Sequence, residues 1–179
     1  KKTETLNSPE GNIISKTEKT LDSQGKSEIK KNLESEDGSM SISIKASIDD
    51  NNISLETEVS LDITPGTEAT EAVEKALNLM ESEIKKDVTE NKADTTHSLK
   101  INTNDKEAKL SPESFAKISD FGMSVAFELD NGIVEFDPGA AKRLSGHTDA
   151  VNISMAPVDM TKLSDEIKDI VSDKPAFEI

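Results

Sequence analysis

The sequence predicts an α+β fold in which an antiparallel β-meander is backed by one long helix, residues 67–92, and followed by a strand–helix repeat domain. Three patterns carry that expectation. Residues 40–63 alternate apolar and polar side chains on both sides of a short polar turn, the mark of paired strands covered on one face. Residues 69–88 place apolar side chains at helical spacing, and beyond residue 105 the order strand, proline-started helix, strand occurs twice. The division falls at residues 104 and 105, with a polar meander and its helix over 1–104 and a repeat domain over 105–179, either as two units or as one continuous fold.

The first 38 residues repeat a short turn: Leu6-Asn-Ser-Pro-Glu-Gly11, Leu21-Asp-Ser-Gln-Gly25 and Leu33-Glu-Ser-Glu-Asp-Gly38. Each supplies the Asn, Asp, Ser and Gly chemistry that hairpin loops need. The runs between them, Asn12 to Thr20 and Lys26 to Asn32, are then antiparallel strands with few apolar anchors. From Met40 the alternation sharpens. If Ile48 faces Ile53 across the turn Asp49 to Asn52, then Ile42 faces Val59 and Met40 faces Leu61, and one face of the pair is apolar. Pro65-Gly66 ends the second strand, and Thr67 is the expected N-cap of the helix. Ala69, Val73, Ala76, Leu77, Met80, Ile84 and Val88 form its buried stripe, with Glu71–Lys75 and Glu81–Lys85 spaced as i,i+4 pairs.

Residues 97–103 form another strand, and Asn104-Asp105 a turn. Leu110-Ser-Pro112-Glu-Ser-Phe115-Ala-Lys-Ile118 then matches Phe136-Asp-Pro138-Gly-Ala-Ala141-Lys-Arg-Leu144 when the prolines are aligned. In each, Ser111 or Asp137 caps a helix whose first position is proline, where a missing N–H costs nothing. Between them Met123, Val125, Phe127 and Leu129 alternate, then Val134 and Phe136, around Asn131-Gly132. An Asn-Gly dipeptide is a strong two-residue turn signal, so Leu129 should face Val134, and Phe127 should face Phe136. Ala150 to Val158 reads as a strand, Ser164 to Val171 as a helix and Ala176 to Ile179 as a last strand.

Composition narrows the function classes. With 33% hydrophobic and 3% aromatic residues, the core must be thin and aliphatic, favouring a sheet covered on one face. The formal charge is −15, from 36 acidic and 21 basic residues, and Arg143 is the sole arginine, which excludes an extended phosphate-binding surface and hence a nucleic-acid partner. No cysteine is present, so neither a disulfide nor a thiolate metal site is possible. No apolar run reaches the length of a membrane span, so membrane insertion is not expected within these residues. The chain opens at Lys1 without an initiator Met and reads as a fragment lacking its signal or anchor.

The order Ser-Pro-capped helix, Asn-Gly turn, Asp-Pro-capped helix, Val151-Asn-Ile-Ser154 strand, Val158-Asp-Met-Thr-Lys-Leu163 and Pro175-Ala-Phe-Glu-Ile179 resembles a module of prokaryotic cell-surface proteins. That module is found near S-layer homology or Ig-like repeats. The likeness spans about Leu99 to Ile179 and lies in apolar spacing rather than in chemical residues. It implies an extracellular, surface-displayed module with structural or adhesive duty, whose partners are other domains of the same protein or another protein. The resemblance assigns no catalytic residue.

The residues themselves give the same answer about chemistry. His97 and His147 are the only imidazoles, each expected as a satisfied surface side chain, and no P-loop, nucleophile elbow or zinc-protease motif occurs. Asp49-Asp50-Asn51-Asn52 and Asn102-Thr-Asn104-Asp105 offer oxygen ligands to Ca²⁺ but lack EF-hand spacing, and are expected as turns. Every lysine reads as exposed, so a Lys-to-Asn or Lys-to-Asp crosslink is not expected. No catalytic, cofactor-binding or metal-binding residue is assigned, no cofactor is implied and the chain is expected not to be an enzyme. The alternative is an accessory or catalytic domain acting on cell-wall polysaccharide, which needs a cleft with two close carboxylates near Asp120, Asp130 or Asp159.

Overall fold

The computed structural model describes residues 2–8, 11–21, 26–49, 52–87, 93–157 and 177–178. Five strands, β1 (Lys2–Ser8), β2 (Gly11–Leu21), β3 (Ser27–Ser35), β4 (Met40–Asp49) and β5 (Asn52–Ile63), pair antiparallel in chain order. The chain then crosses through α1 (Thr70–Asp87) to β6 (Ala93–Thr103), parallel to β5. A second crossover through β7 (Glu107–Leu110) and α2 (Pro112–Asp120) leads to β8 (Met123–Leu129), parallel to β6. The antiparallel β9 (Gly132–Phe136) completes an eight-stranded sheet in the order β1-β2-β3-β4-β5-β6-β8-β9. After α3 (Pro138–Leu144), β10 (Val151–Ser154) pairs with β7, and β11 (Ala156–Pro157) with β12 (Phe177–Glu178). Residues on both sides of 104 and 105 therefore share one mixed α+β sheet.

The core lies on one face of that sheet because side chains alternate sides with a period of two. Ile42, Val59, Leu99 and Val125 stand side by side across β4, β5, β6 and β8, none more than 1% exposed. Val73, Ala76, Leu77 and Met80 of α1 are fully buried in the same core. On the opposite face Ser41, Ser43, Glu56, Glu58 and Asp94 are exposed. The ion pair Lys30–Glu28 within β3 and the cross-strand pair Lys100–Glu128 sit there, with Lys45 of β4 at 4.0 Å from Glu28.

The register of β4 on β5 is the expected one, with Ile48 opposite Ile53, Ile42 opposite Val59 and Met40 opposite Leu61. Both proline-started helices also have the expected caps: Ser111 Oγ accepts the Ser114 N–H at 3.1 Å, and Asp137 Oδ1 accepts the Ala140 N–H at 2.6 Å. Three expectations need correction. Thr67 does not cap α1; its hydroxyl donates to Thr64 O at 2.6 Å inside the turn at 64–67, and the helix starts at Thr70 behind Ala69, whose N–H is taken by Lys109 O. Strand 150–158 is split at Met155, and residue 158 lies outside the described residues, as do 88–92 and 164–171.

The third correction concerns the Asn131-Gly132 hairpin. Leu129 pairs with Gly132, Phe127 with Val134 and Val125 with Phe136, so the loop residues are Asp130 and Asn131. A shift of two residues keeps every side chain on its face, which is why the apolar side was still read correctly. Phe127 and Phe136 meet diagonally, ring centroids 6.0 Å apart at 80°, and Phe115 of α2 closes the trio at 6.3 and 6.4 Å. Gly132 has φ 151°, and a Cβ there would stand 2.9 Å from Met155 Sδ. Gly132→Ala should therefore cost about 1–2 kcal/mol in a urea titration, since the methyl forces both backbone and Met155 to move. An unchanged midpoint would show that the site is not crowded.

Candidate functional site

One concavity lies at the end of the sheet where β5 turns into α1. A hollow of about 420 Å³ is bounded by the β3–β4 loop (Ser35, Asp37, Ser39), the end of β5 (Asp62) and the start of α1 (Glu68, Glu71, Lys75). This is the carboxyl end of a strand that opens a crossover, the place where sheets with parallel connections hold their ligands. Its chemistry is that of a locked turn. Asp37 Oδ1 accepts Ser35 Oγ–H at 2.6 Å, Ser39 Oγ–H at 2.7 Å and the Ser39 N–H at 3.0 Å. The Ser35 hydrogen bond, then those from Ser39, hold the carboxyl below its ordinary 3.8, at about 2. Such a group stays ionised at neutral pH and cannot deliver a proton as a general acid.

The sign of its linkage follows directly. A depressed carboxyl stabilises the fold above its unfolded value near 3.8, and that contribution disappears as pH falls toward 2. Asp37→Ala should thus lower the melting temperature at neutral pH, with the gap to the parent narrowing as pH approaches 2. A constant gap would mean that Asp37 acts through packing alone.

The neighbouring polar residues serve a cross-strand pair and a turn. Asn102 Nδ2 donates to Asp62 Oδ1 at 2.8 Å. Asp105 accepts the Gly66 N–H at 3.1 Å and the Lys106 N–H at 2.7 Å, fastening the turn at 64–67 to the loop after β6. Of the Ca²⁺ candidate at 102–105, Asp105 therefore serves turn chemistry as expected, whereas Asn102 is a strand residue paired across the sheet with Asp62; the side chains of Asp49 to Asn52 lie outside the described residues. Among the described residues no group of three or more His, Asp or Glu is arranged to hold a metal.

Of the carboxylates considered for sugar cleavage, the two among the described residues, Asp120 and Asp130, do not line a common hollow. Asp120 borders a hollow of about 270 Å³ with Asn78, Glu81, Lys117 and Phe121. Asp130 is exposed in the hairpin loop, its N–H donating to Asp105 O at 3.0 Å, and it does not line that hollow. A third hollow, about 450 Å³, lies between Asp105, Glu107, Asn131 and Met155. Asp159 lies outside the described residues.

Two sequence-level expectations fail at buried polar residues. His147 is exposed, but His97 is only 9% exposed: β6 begins at Ala93, so His97 is an interior residue in phase with Leu99 and Ile101 on the core face. Nor is every lysine exposed. The Lys31 side chain is 12% exposed and pairs with Glu83 of α1, itself 2% exposed. The signal was present in the phase: Lys31 sits between Ile29 and Leu33, and Thr57 between Leu55 and Val59, at positions that face inward with their neighbours.

Comparison with protein-family models, with curated protein sequences and with solved structures finds no match in any of the three. The likeness to a surface module therefore rests on the residue pattern. No helix among the described residues is long and apolar enough to cross a membrane.

Proposed function

We propose that this chain is a non-enzymatic, extracellular module of a cell-surface protein, whose work is spacing, display or protein adhesion. In this reading the meander β1–β5 backed by α1 is one structural unit and the capped strand–helix pattern that follows is a second, sharing its sheet. The supporting observation is the one-sided sheet. Eight strands at about 4.8 Å spacing make a slab roughly 34 Å wide. One face holds the core, and the other is a polar surface of serine, threonine and paired charges. A slab of that kind supplies rigid area for contact with other domains, and its polar face stays soluble beside them.

Location is the test. Protease shaving of intact cells that make the native protein should release peptides from these residues, and the protein should follow the envelope fraction. Recovery in the cytosolic fraction, with no peptides shaved from intact cells, would overturn the proposal.

A further inference from the structure

We propose that the junction between β5 and β6, where antiparallel pairing gives way to parallel pairing, is an acid-sensitive seam with His97 as its trigger. His97 and its register partner Thr57 lie side by side on the core face, 9% and 1% exposed. Each carries a buried polar atom without a hydrogen-bond partner, His97 Nδ1 and Thr57 Oγ1. On the other flank β8 offers the fully buried Met123. Farther along the same transverse row, beyond Ile44 of β4, stands Lys31, which is paired with Glu83 of α1. On α2, packed against β8, Glu113 and Asp120 are exposed and Lys117 is half-buried.

A proton added to His97 thus creates a cation in an apolar core where the sheet offers it no carboxylate. Burial holds the imidazole below its ordinary 6.5. As pH falls through 6.5 the unfolded chain takes up the proton first, so stability that is complete above that value is lost as pH falls toward the folded one. The seam would loosen at the junction while the rest of the meander, held by aliphatic pairs, stays closed.

The test uses the whole chain. Thermal midpoints are measured from about pH 7.5 to about pH 5, the interval in which histidine is the titrating side chain, for the parent, His97→Leu and Thr57→Val. The parent should lose midpoint across the interval and His97→Leu should lose less. Thr57→Val should start higher, because a hydroxyl buried without a partner is replaced by an isosteric methyl, and should keep the pH dependence. Parallel curves for parent and His97→Leu would overturn the proposal, and so would a lower midpoint for Thr57→Val. If His97→Leu does not fold, the ring-proton titration of the parent decides: His97 must titrate below its ordinary 6.5, and titration at or above that value overturns the seam.

Discussion

Phe115→Ala should lower the unfolding free energy by about 4 kcal/mol, the range seen when a buried aromatic ring is deleted from a packed core. Phe115 is 0% exposed, and its ring contacts both Phe127 and Phe136, 45° and 83° from their planes. It is the side chain through which α2 grips the β8–β9 end of the sheet. Phe115→Leu should recover more than half of the loss, because it restores most of the volume. Urea unfolding of both variants checks this, and a loss under about 2 kcal/mol for alanine would mean that the three rings do not form one packed unit.

Glu83→Ala carries the second large effect, about 3 kcal/mol. It removes the carboxylate against which the Lys31 ammonium is buried, and breaking a buried pair on one side is far costlier than replacing both partners. The figure is set at the lower end for such pairs because the Lys31 side chain keeps 12% exposure. The double variant Lys31→Met, Glu83→Leu should come within about 1 kcal/mol of the parent, since apolar residues of similar volume fill the same space without desolvated charge. A double-mutant cycle reads the coupling directly. A double variant as unstable as Glu83→Ala would show that α1 is seated by shape at this point and not by charge.

How much of this was legible in the sequence depends on the range of the forces involved. The β4–β5 register could be read because every determinant is local: alternation in Met40 to Ile48 and Ile53 to Leu61 sets the buried face, and the short turn at 49–52 sets which even step is taken. The caps of α2 and α3 were local too. The hairpin after β8 was misplaced by two residues because alternation cannot distinguish registers that differ by an even step. The observed loop is fastened from outside: the Asp130 N–H bonds Asp105 O, Asn131 Nδ2 bonds Met155 O at 3.0 Å, and the Met155 sulfur lies over Gly132. Parallel placement of β6 between β5 and β8 was equally out of reach, since it follows from two crossovers and not from the strand's own residues.

The same distinction shaped the candidate site. Asp37 and Asp105 carry turn-residue signatures, and both serve as turn acceptors. Lys31 and His97 read as surface residues by their chemistry, although their phase on the strand places them inward. That phase sets the side of the strand they occupy; how deeply they are buried depends on what α1 and the parallel strands bring over them, which no window of local sequence contains.

The switch from antiparallel to parallel pairing at β5 also sets an order of assembly. Hairpins among β2 to β5 close over short connections, at little cost in chain entropy, whereas β6 pairs on both sides only after two long excursions have been ordered. The molecule should therefore zip from its meander and lock last at its centre, with amide protection during refolding arriving in β4 before β6. A nascent chain in that interval would present the bare flank of β5 to whatever strand lies nearest, so quick docking of α1 is what keeps neighbouring copies from pairing there instead.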